Sequence, residues 1–334
     1  MKTIALAACV VCLTGTPIAH AQSMTTEAVV SAGASTDEVS AIGAQLRAFG
    51  DVMSGVRFFG EAAWAKSSND DNDFMGSAYP YNGRVQIIEA YAERTFRPGE
   101  ALVSIRGGRF RTPFGIYSAS DHAYSGFLRP PFFRYDEHEA VSNNFLEHGA
   151  DLVVGVPRLT LETALGAPAD VGTAVRRSGL DAVFRLQGYY GPFIAGVSHM
   201  RTSSLKSAEV EGRADFSGLD LRWSHNGIQA RGEWMTGHPF AGATTHGWYA
   251  DTFVHLVGMG PVTAVARVEQ FEREEAGESE EEPARRQVIG VRIRLPRALT
   301  LNVDVVHRMG SVEAEESRPT TLDVGLTWSV RPHK

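Results

Sequence analysis

The C-terminal part of the chain alternates apolar and polar residues with a period of two. Within residues 320–330, Leu322 and Val324 flank Asp323, and the same alternation continues to Trp328. A period of two places the two sets of side chains on opposite faces of a β-strand. Because this pattern recurs along most of the chain, the sequence predicts an all-β protein with many strands.

The first 21 residues have the features of a secretory signal peptide. Lys2 supplies the positive charge, residues 4–13 form a short apolar core, and Ala19-His20-Ala21 is a small-residue cleavage site. We therefore expect export, with residues 22–334 forming a single mature domain.

The mature domain lacks cysteine, because Cys9 and Cys12 both fall within the predicted signal peptide. We therefore expect neither disulfides nor a cysteine metal site. After residue 21 no stretch is apolar for the roughly 18 residues that a transmembrane helix needs. The formal net charge of -7 argues against a nucleic-acid partner.

Alternation and turn residues together predict sixteen strands. Asn226-Gly227 is the strongest hairpin signal in the chain. The first hairpin is the least well defined, so fourteen strands is the alternative. The predicted strands are 25–34, 38–49, 52–65, 84–96, 101–110, 148–156, 159–165, 179–190, 193–202, 214–225, 228–237, 247–257, 262–272, 285–295, 299–308 and 320–330.

The predicted connectors alternate in length. Those after even-numbered strands are short turns such as Gly50-Asp51 and Pro98-Gly99, whereas those after odd-numbered strands from the third onward are longer and polar. Short turns at one end and longer loops at the other are typical of a transmembrane antiparallel β-barrel in a bacterial outer membrane. A soluble β-sandwich or propeller is the alternative, although neither requires this alternation.

Charged residues lie on one face of several predicted strands. An arginine facing lipid at mid-membrane costs about 2–4 kcal/mol, so these faces are predicted to point into the barrel. A barrel of sixteen strands encloses a water-filled lumen; alternatively, these charges simply pair across neighbouring strands. The predicted lumen-wall residues are Arg57, Glu61, Arg185, Asp220, Arg222, Arg231, Glu233, Arg292, Arg294, Asp304 and Asp323.

The longest predicted connector, residues 111–147, is the third outer loop. It carries the aromatic residues Phe127, Phe132, Phe133 and Tyr135. Such a cluster favours burial, and a long apolar loop in a compact domain is usually functional. We therefore expect residues 113–144 to fold into the barrel and narrow the channel.

One segment adds a family resemblance. Residues 106–117 read Arg-Gly-Gly-Arg-Phe-Arg-Thr-Pro-Phe-Gly-Ile-Tyr, which resembles the strand-to-loop segment of Gram-negative porins of the phosphate-selective (O/P-type) superfamily. The resemblance implies a sixteen-stranded, usually trimeric porin whose third loop forms the constriction. It also implies an anion path of basic residues, with candidate counterparts Arg106, Arg109, Arg111, Arg129 and Arg134.

The chain departs from this family in its charges. Lysine is nearly absent, and the same loop contains the predicted constriction residues Asp121, Asp136, Glu137 and Glu139. A basic wall facing an acidic loop fits a general porin better than a phosphate-selective one, because its transverse field orients polar solutes. The chain also ends without the terminal aromatic residue that is common in barrel proteins.

We expect no enzymatic activity, metal site or cofactor. The acidic run 136–139 has metal-ligand residue types, but adjacent residues on a strand point in alternate directions and cannot all converge. The pairs Ser198-His199 and Ser224-His225 likewise point to opposite faces, which does not suit a nucleophile and its base.

The sequence therefore predicts an exported outer-membrane porin for passive diffusion of small hydrophilic solutes or inorganic anions. Its partners would be outer-membrane lipid and lipopolysaccharide, and the resemblance implies a homotrimer. One alternative is a barrel plugged by its own long loop, with a structural or adhesive role. Another is a secreted, soluble all-β module that binds glycans.

Overall fold

A computed structural model describes residues 23–53, 55–69, 72–75, 83–116, 126–134, 141, 145–169, 176–177, 179–202, 205–206, 211–275, 282–310 and 319–330. The predicted signal peptide lies outside these residues. Sixteen strands form one closed barrel. In chain order they are β1 Ser23–Ser35, β2 Ser40–Met53, β3 Val56–Ser67, β4 Val85–Phe96, β5 Leu102–Arg111, β6 Leu146–Val156, β7 Leu159–Pro168, β8 Asp181–Tyr190, β9 Phe193–Arg201, β10 Asp215–His225, β11 Ile228–His238, β12 Ala243–His255, β13 Val262–Glu275, β14 Ala284–Leu295, β15 Leu299–Met309 and β16 Thr320–Val330.

Each strand pairs antiparallel with its neighbours in the chain, and β1 also pairs with β16 in the register Ala28 to Val330. This last pairing closes the sheet and leaves no free edge. The predicted all-β antiparallel barrel of sixteen strands is confirmed, and the fourteen-strand alternative is excluded. The short segments Arg176–Arg177, Leu205–Lys206 and Glu211–Gly212 form a separate small sheet. Among the described residues, no helix is both long and apolar enough to cross a membrane.

The turn predicted at Gly50-Asp51 was wrong. Strand β2 continues through it, because Gly50 pairs with Met24 on one side and with Phe58 on the other. Pairing on both sides outweighs the local turn preference of a Gly-Asp step. Strand β2 ends instead at Met53 and β3 begins at Val56, and Gly55 between them has a φ of 74°.

The predicted alternation of connector lengths fails at one hairpin. Strand β11 extends to His238 and β12 begins at Ala243, so residues 239–242 alone join them, whereas the sequence predicted a longer loop. The alternation continues through this region, since Ala243 and Thr245 are buried while Thr244 and His246 are more exposed. Because these residues are polar, the sequence pattern did not identify them as part of the strand.

Burial alternates along the strands as the period of two predicts. In β16, Asp323 is fully buried, whereas Leu322, Val324 and Leu326 are 38–42% exposed. The apolar set therefore covers the outside of the barrel and the polar set points inward. A contiguous outer surface of exposed Leu, Val, Ile and aromatic residues is unlike that of a soluble monomer.

Candidate functional site

The predicted lumen-wall residues occupy inward-facing strand positions. The start of β1, the end of β16 and the short turns lie at one end of the barrel, called here the turn end; the longer connectors join strands at the other end, called the loop end. Arg57 and Arg294 are exposed near the turn end. The others are buried or partly buried: Glu61, Arg185, Asp220, Arg222, Arg231, Glu233, Arg292, Asp304 and Asp323.

Many of these charges pair between strands. Glu61 Oε2 lies 2.5 Å from Arg47 Nε, and Glu61 Oε1 lies 2.6 Å from Arg111 Nη2. Asp251 Oδ2 lies 2.8 Å from Arg231 Nε. The wall therefore combines an inward charged face with cross-strand pairing, as both sequence interpretations allow.

The two halves of the wall differ in charge. In the half formed by β3–β7, Arg106 is surrounded by three carboxylates: Asp151 at 3.2 Å, Glu93 at 3.8 Å and Glu162 at 4.0 Å. This half also carries Glu61, Glu89 and Glu147. The half formed by β8–β14 carries fewer inward carboxylates, Asp181, Asp220, Glu233, Asp251 and Glu269, than inward arginines, which are Arg185, Arg222, Arg231, Arg267, Arg286, Arg292 and Arg294.

The third outer loop, residues 112–145, joins β5 to β6. Its first described part contacts the opposite wall: Gly115 donates its backbone N–H to Ser198 Oγ at 3.0 Å, and Ile116 donates to Glu233 Oε1 at 3.2 Å. These acceptors lie on β9 and β11, so the loop crosses from β5 to inward-facing side chains on other strands.

The second described part of this loop, residues 126–134, contacts β13 and β15. Leu128 donates its backbone N–H to Asp304 Oδ2 at 3.1 Å, and Phe132 donates to Glu269 Oε2 at 2.7 Å. Inward carboxylates therefore accept hydrogen bonds from the loop backbone, which a solvated loop would make to water.

Inward-facing glycines make room for the apolar side chains of the loops. A β-carbon at Gly218 would lie 3.0 Å from the ring of Phe114, and one at Gly247 would lie 2.9 Å from the ring of Phe133. Both aromatic rings are buried. The sequence does show a glycine at an inward strand position, which allows such a contact, but it does not identify the aromatic residue that packs there.

Arg134 holds two parts of the loop against the wall. It forms a buried ion pair with Glu233, and it donates hydrogen bonds to the carbonyl oxygens of Val141 at 2.8 Å and Phe114 at 3.0 Å. Its guanidinium also lies 5.5 Å from the ring centroids of Phe114 and Phe133. A buried guanidinium with these partners is fixed in place.

Arg109 lies on the opposite face from Arg106, which differs from the prediction that it lines the pore. It pairs in register with the exposed His148, and Arg109 Nη1 lies 3.1 Å from His148 Nε2. The three-residue separation from Arg106 explains this, because odd separations reverse the face of a strand. A cavity of about 490 Å³ beside Arg109 is lined by the exposed Ile87.

The remaining predicted constriction residues lie in different environments. Arg111 lies beyond Arg109, where the pairing of β5 with β4 ends, and its guanidinium contacts Glu61 and Glu89. Arg129 and Arg134 are 2% and 1% exposed, and both form ion pairs with carboxylates. Asp121, Asp136, Glu137 and Glu139 fall outside the described residues, and so does the whole acidic run 136–139.

Sequence reasoning missed several buried members of the lumen. Asp251, Arg267, Glu269 and Arg286 lie at inward positions, where extending the alternation would have found them. Asp73, in the second outer loop, gave no such signal. Ser198 is buried inward and accepts from Gly115, whereas His199 points outward to Ser217 Oγ at 3.1 Å. In the described part of the chain, no group of three His, Cys, Asp or Glu side chains is placed to hold a metal ion.

Comparison with known proteins identifies the same architecture. No protein-family model matches the chain, and no curated protein matches it. Solved structures do match: an anion-selective porin from Comamonas acidovorans has 13% identity and a TM-score of 0.62, covering 92% of this chain and 99% of that one. OmpF of Salmonella typhi in complex with daunomycin has 11% identity and a TM-score of 0.58, covering 92% and 97%.

A third similar structure is the trimer form of OmpT, an outer membrane protein of Vibrio cholerae. It has 10% identity and a TM-score of 0.61, covering 92% of this chain and 98% of that one. At these identities the likeness establishes the fold.

Proposed function

We propose that this chain is an outer-membrane porin, through which small hydrophilic solutes or ions diffuse passively. One observation carries the proposal: a closed barrel of sixteen strands presents an apolar outer surface and a charged inner wall. An apolar outer surface requires surrounding lipid. Closure of the sheet pairs the backbone hydrogen-bonding groups of every strand edge within that lipid. The porin folds among the similar structures support the same assignment.

The third loop is the proposed constriction. Its described parts contact inward side chains on several strands, including Ser198, Glu233, Glu269 and Asp304. A loop anchored to these strands reduces the free cross-section of the lumen. Assignment to the phosphate-selective superfamily is a hypothesis that rests on residues 106–117.

The difference in charge between the two wall halves supports a preference for anions along one side. Arg222 and Arg294 are more exposed than Arg129 and Arg134, so they are the better candidates for contact with solutes. The carboxylates around Arg106 on the other half would complete a transverse field. Anion preference is therefore proposed from the exposed arginines of β8–β14.

A homotrimer in outer-membrane lipid is proposed as the assembly, since the fold is shared with a protein solved in a trimer form. A plugged barrel is the second candidate. It is favoured by the near-complete burial of the described loop arginines Arg129 and Arg134 against the wall.

Liposome swelling distinguishes these candidates. Vesicles containing the purified protein should swell in isotonic solutions of small sugars, at rates that fall as the sugar becomes larger. Vesicles prepared without protein provide the baseline. Swelling at that baseline rate, with protein that is folded and inserted, would support the plugged barrel and contradict the porin proposal.

A further inference from the structure

Three arginines converge on one carboxylate at the loop end of the barrel. Asp73, in the second outer loop (residues 68–84), forms ion pairs with Arg129 of the third loop and Arg286 of β14. Arg308 of β15 approaches the same carboxylate, with its Nη2 3.5 Å from Asp73 Oδ1. The four groups come from four separate elements, so the cluster depends on the closed barrel.

The arginines are held in place independently of Asp73. Arg129 Nε lies 2.6 Å from Asp323 Oδ2, and Arg286 Nε lies 2.6 Å from Glu269 Oε1. Both arginine side chains are at most 1% exposed. Because a wall carboxylate holds Nε of each of these two guanidinium groups, the nitrogens that face Asp73 keep their direction if its carboxylate is lost.

Arg308 is likewise held by a second carboxylate while another of its nitrogens faces Asp73. Its Nη1 lies 3.2 Å from Asp37 Oδ2, which leaves Nη2 directed at Asp73, and its side chain is 14% exposed. Asp73 has a similar side-chain exposure of 12%, so these two residues give the cluster its contact with solvent. Three prepositioned guanidinium groups thus surround a space filled by one carboxylate.

The second loop places Asp73 in this space through its neighbours. Met75 donates its backbone N–H to the carbonyl oxygen of Leu128 at 2.8 Å. Phe74 is fully buried, and a β-carbon at Gly33 would lie 2.9 Å from its ring. Asn72 also donates to Asp37 Oδ2 at 3.2 Å and accepts from Arg129 Nη1 at 2.9 Å. The loop is therefore attached by contacts other than those of the Asp73 carboxylate.

The balance of charge defines the ligand class. Without Asp73, the three arginines face three described carboxylates: Asp37, Glu269 and Asp323. A monoanion in place of Asp73 restores the original charge, whereas a dianion adds one more negative charge to a buried site. Three converging N–H groups also match the two oxygens of a carboxylate.

We propose that Arg129, Arg286 and Arg308 form a binding site for small monocarboxylates at the loop end of the barrel, and that Asp73 occupies this site as an internal ligand. On the proposed porin function, a solute carboxylate would compete with the second loop for the three arginines at the mouth of the channel. The site would then select solutes that carry a carboxylate.

Acetate rescue of Asp73→Ala tests this site. The substitution removes the carboxylate and leaves room for acetate. We measure the temperature at which the folded band is lost on a gel in detergent, with chloride, acetate or neutral acetamide. The variant should lose its folded band at a lower temperature than the parent protein, and acetate alone should restore it, with half of the effect at roughly 10 mM, as expected for so small a ligand.

Matched variants separate site binding from a general effect of salt. Asp73→Asn loses the same charge but keeps the space filled, so acetate should not restore it. Asp51→Ala removes a carboxylate that lies 3.5 Å from the exposed Arg57, where no site exists, and should show no rescue. Adding Arg308→Gln to Asp73→Ala should raise the acetate concentration required several-fold.

Equal effects of acetate and acetamide on Asp73→Ala would overturn the proposal. If this variant does not fold in chloride, the folding yield becomes the measurement, and a yield that acetate fails to raise has the same meaning. This assay requires no ion conduction. A parent protein that is silent in bilayers would therefore refute the porin proposal, while the acetate result would still decide the binding site.

Discussion

Removal of the Arg134 guanidinium should destabilise the barrel through the third loop. Arg134→Ala leaves Glu233 buried without its guanidinium partner, while the backbone N–H of Ile116 still donates to Glu233 Oε1 at 3.2 Å. It also removes the hydrogen bonds to the carbonyl oxygens of Phe114 and Val141. Breaking a buried ion pair by removing one partner costs about 3–5 kcal/mol.

A double-mutant cycle measures how much of this loss belongs to the pair. Arg134→Met combined with Glu233→Leu replaces both charges with apolar groups, which is often neutral or stabilising. We therefore expect a loss of about 3–5 kcal/mol for Arg134→Met alone, and a coupling energy of at least ~2 kcal/mol with Glu233→Leu.

Urea unfolding in lipid vesicles provides the assay, with tryptophan fluorescence and the folded band on a gel as two probes of one transition. The same proteins in bilayers should show a larger and noisier conductance for Arg134→Ala, because the loop loses its attachment to β11. A loss below about 1 kcal/mol, together with a coupling energy near zero, would refute the role given to this ion pair.

Three further expectations follow from the wall and the second loop. Val324→Arg, on the outer face of β16, should destabilise the barrel by about 2–4 kcal/mol in vesicle-based urea unfolding, whereas Val324→Leu should change it by less than ~1 kcal/mol. Arg222→Gln with Arg294→Gln should shift the reversal potential in a KCl gradient toward cations; an unchanged potential would remove both arginines from the solute path. Burial opposes ionisation of the Asp73 carboxyl, but the three arginine charges outweigh it and hold its pKa below the ordinary value of 3.8. Because the pKa of Asp73 is lower in the folded protein than in the unfolded chain, its carboxylate stabilises the folded state above the ordinary pKa, and this stabilisation is lost as the pH falls below it. The channel conductance should therefore show no increase that depends on Asp73 between about pH 8 and pH 4. A difference between parent and Asp73→Asn that appears with a midpoint near pH 6 would contradict this.

The strands and their two faces could be predicted from the sequence because alternation is a local signal. Asp323 and Leu322 show it within one strand, and their burial follows it. Local signals were wrong where neighbouring strands decided the outcome. Gly50 is an ordinary turn residue in isolation, yet it pairs on both sides in the barrel.

The contacts of the loops could not be predicted, because they join residues far apart in the chain. Asp73 and Arg286 are separated by 213 residues, and Arg134 and Glu233 by 99. No periodicity relates these positions; they meet only when the sheet closes and the loops turn inward. The aromatic cluster around Phe133 did indicate burial, and Phe133 is 1% exposed. The sequence did not identify Gly247 as the residue against which its ring packs.

Single-channel conductance tests the central claim most directly. The detergent-purified protein is added to a planar lipid bilayer that separates two KCl solutions of different concentration. The porin proposal predicts discrete conductance steps and a reversal potential whose sign reports anion preference. Persistent silence from protein that still runs as a folded, heat-modifiable band would contradict it and favour a barrel plugged by its own loops.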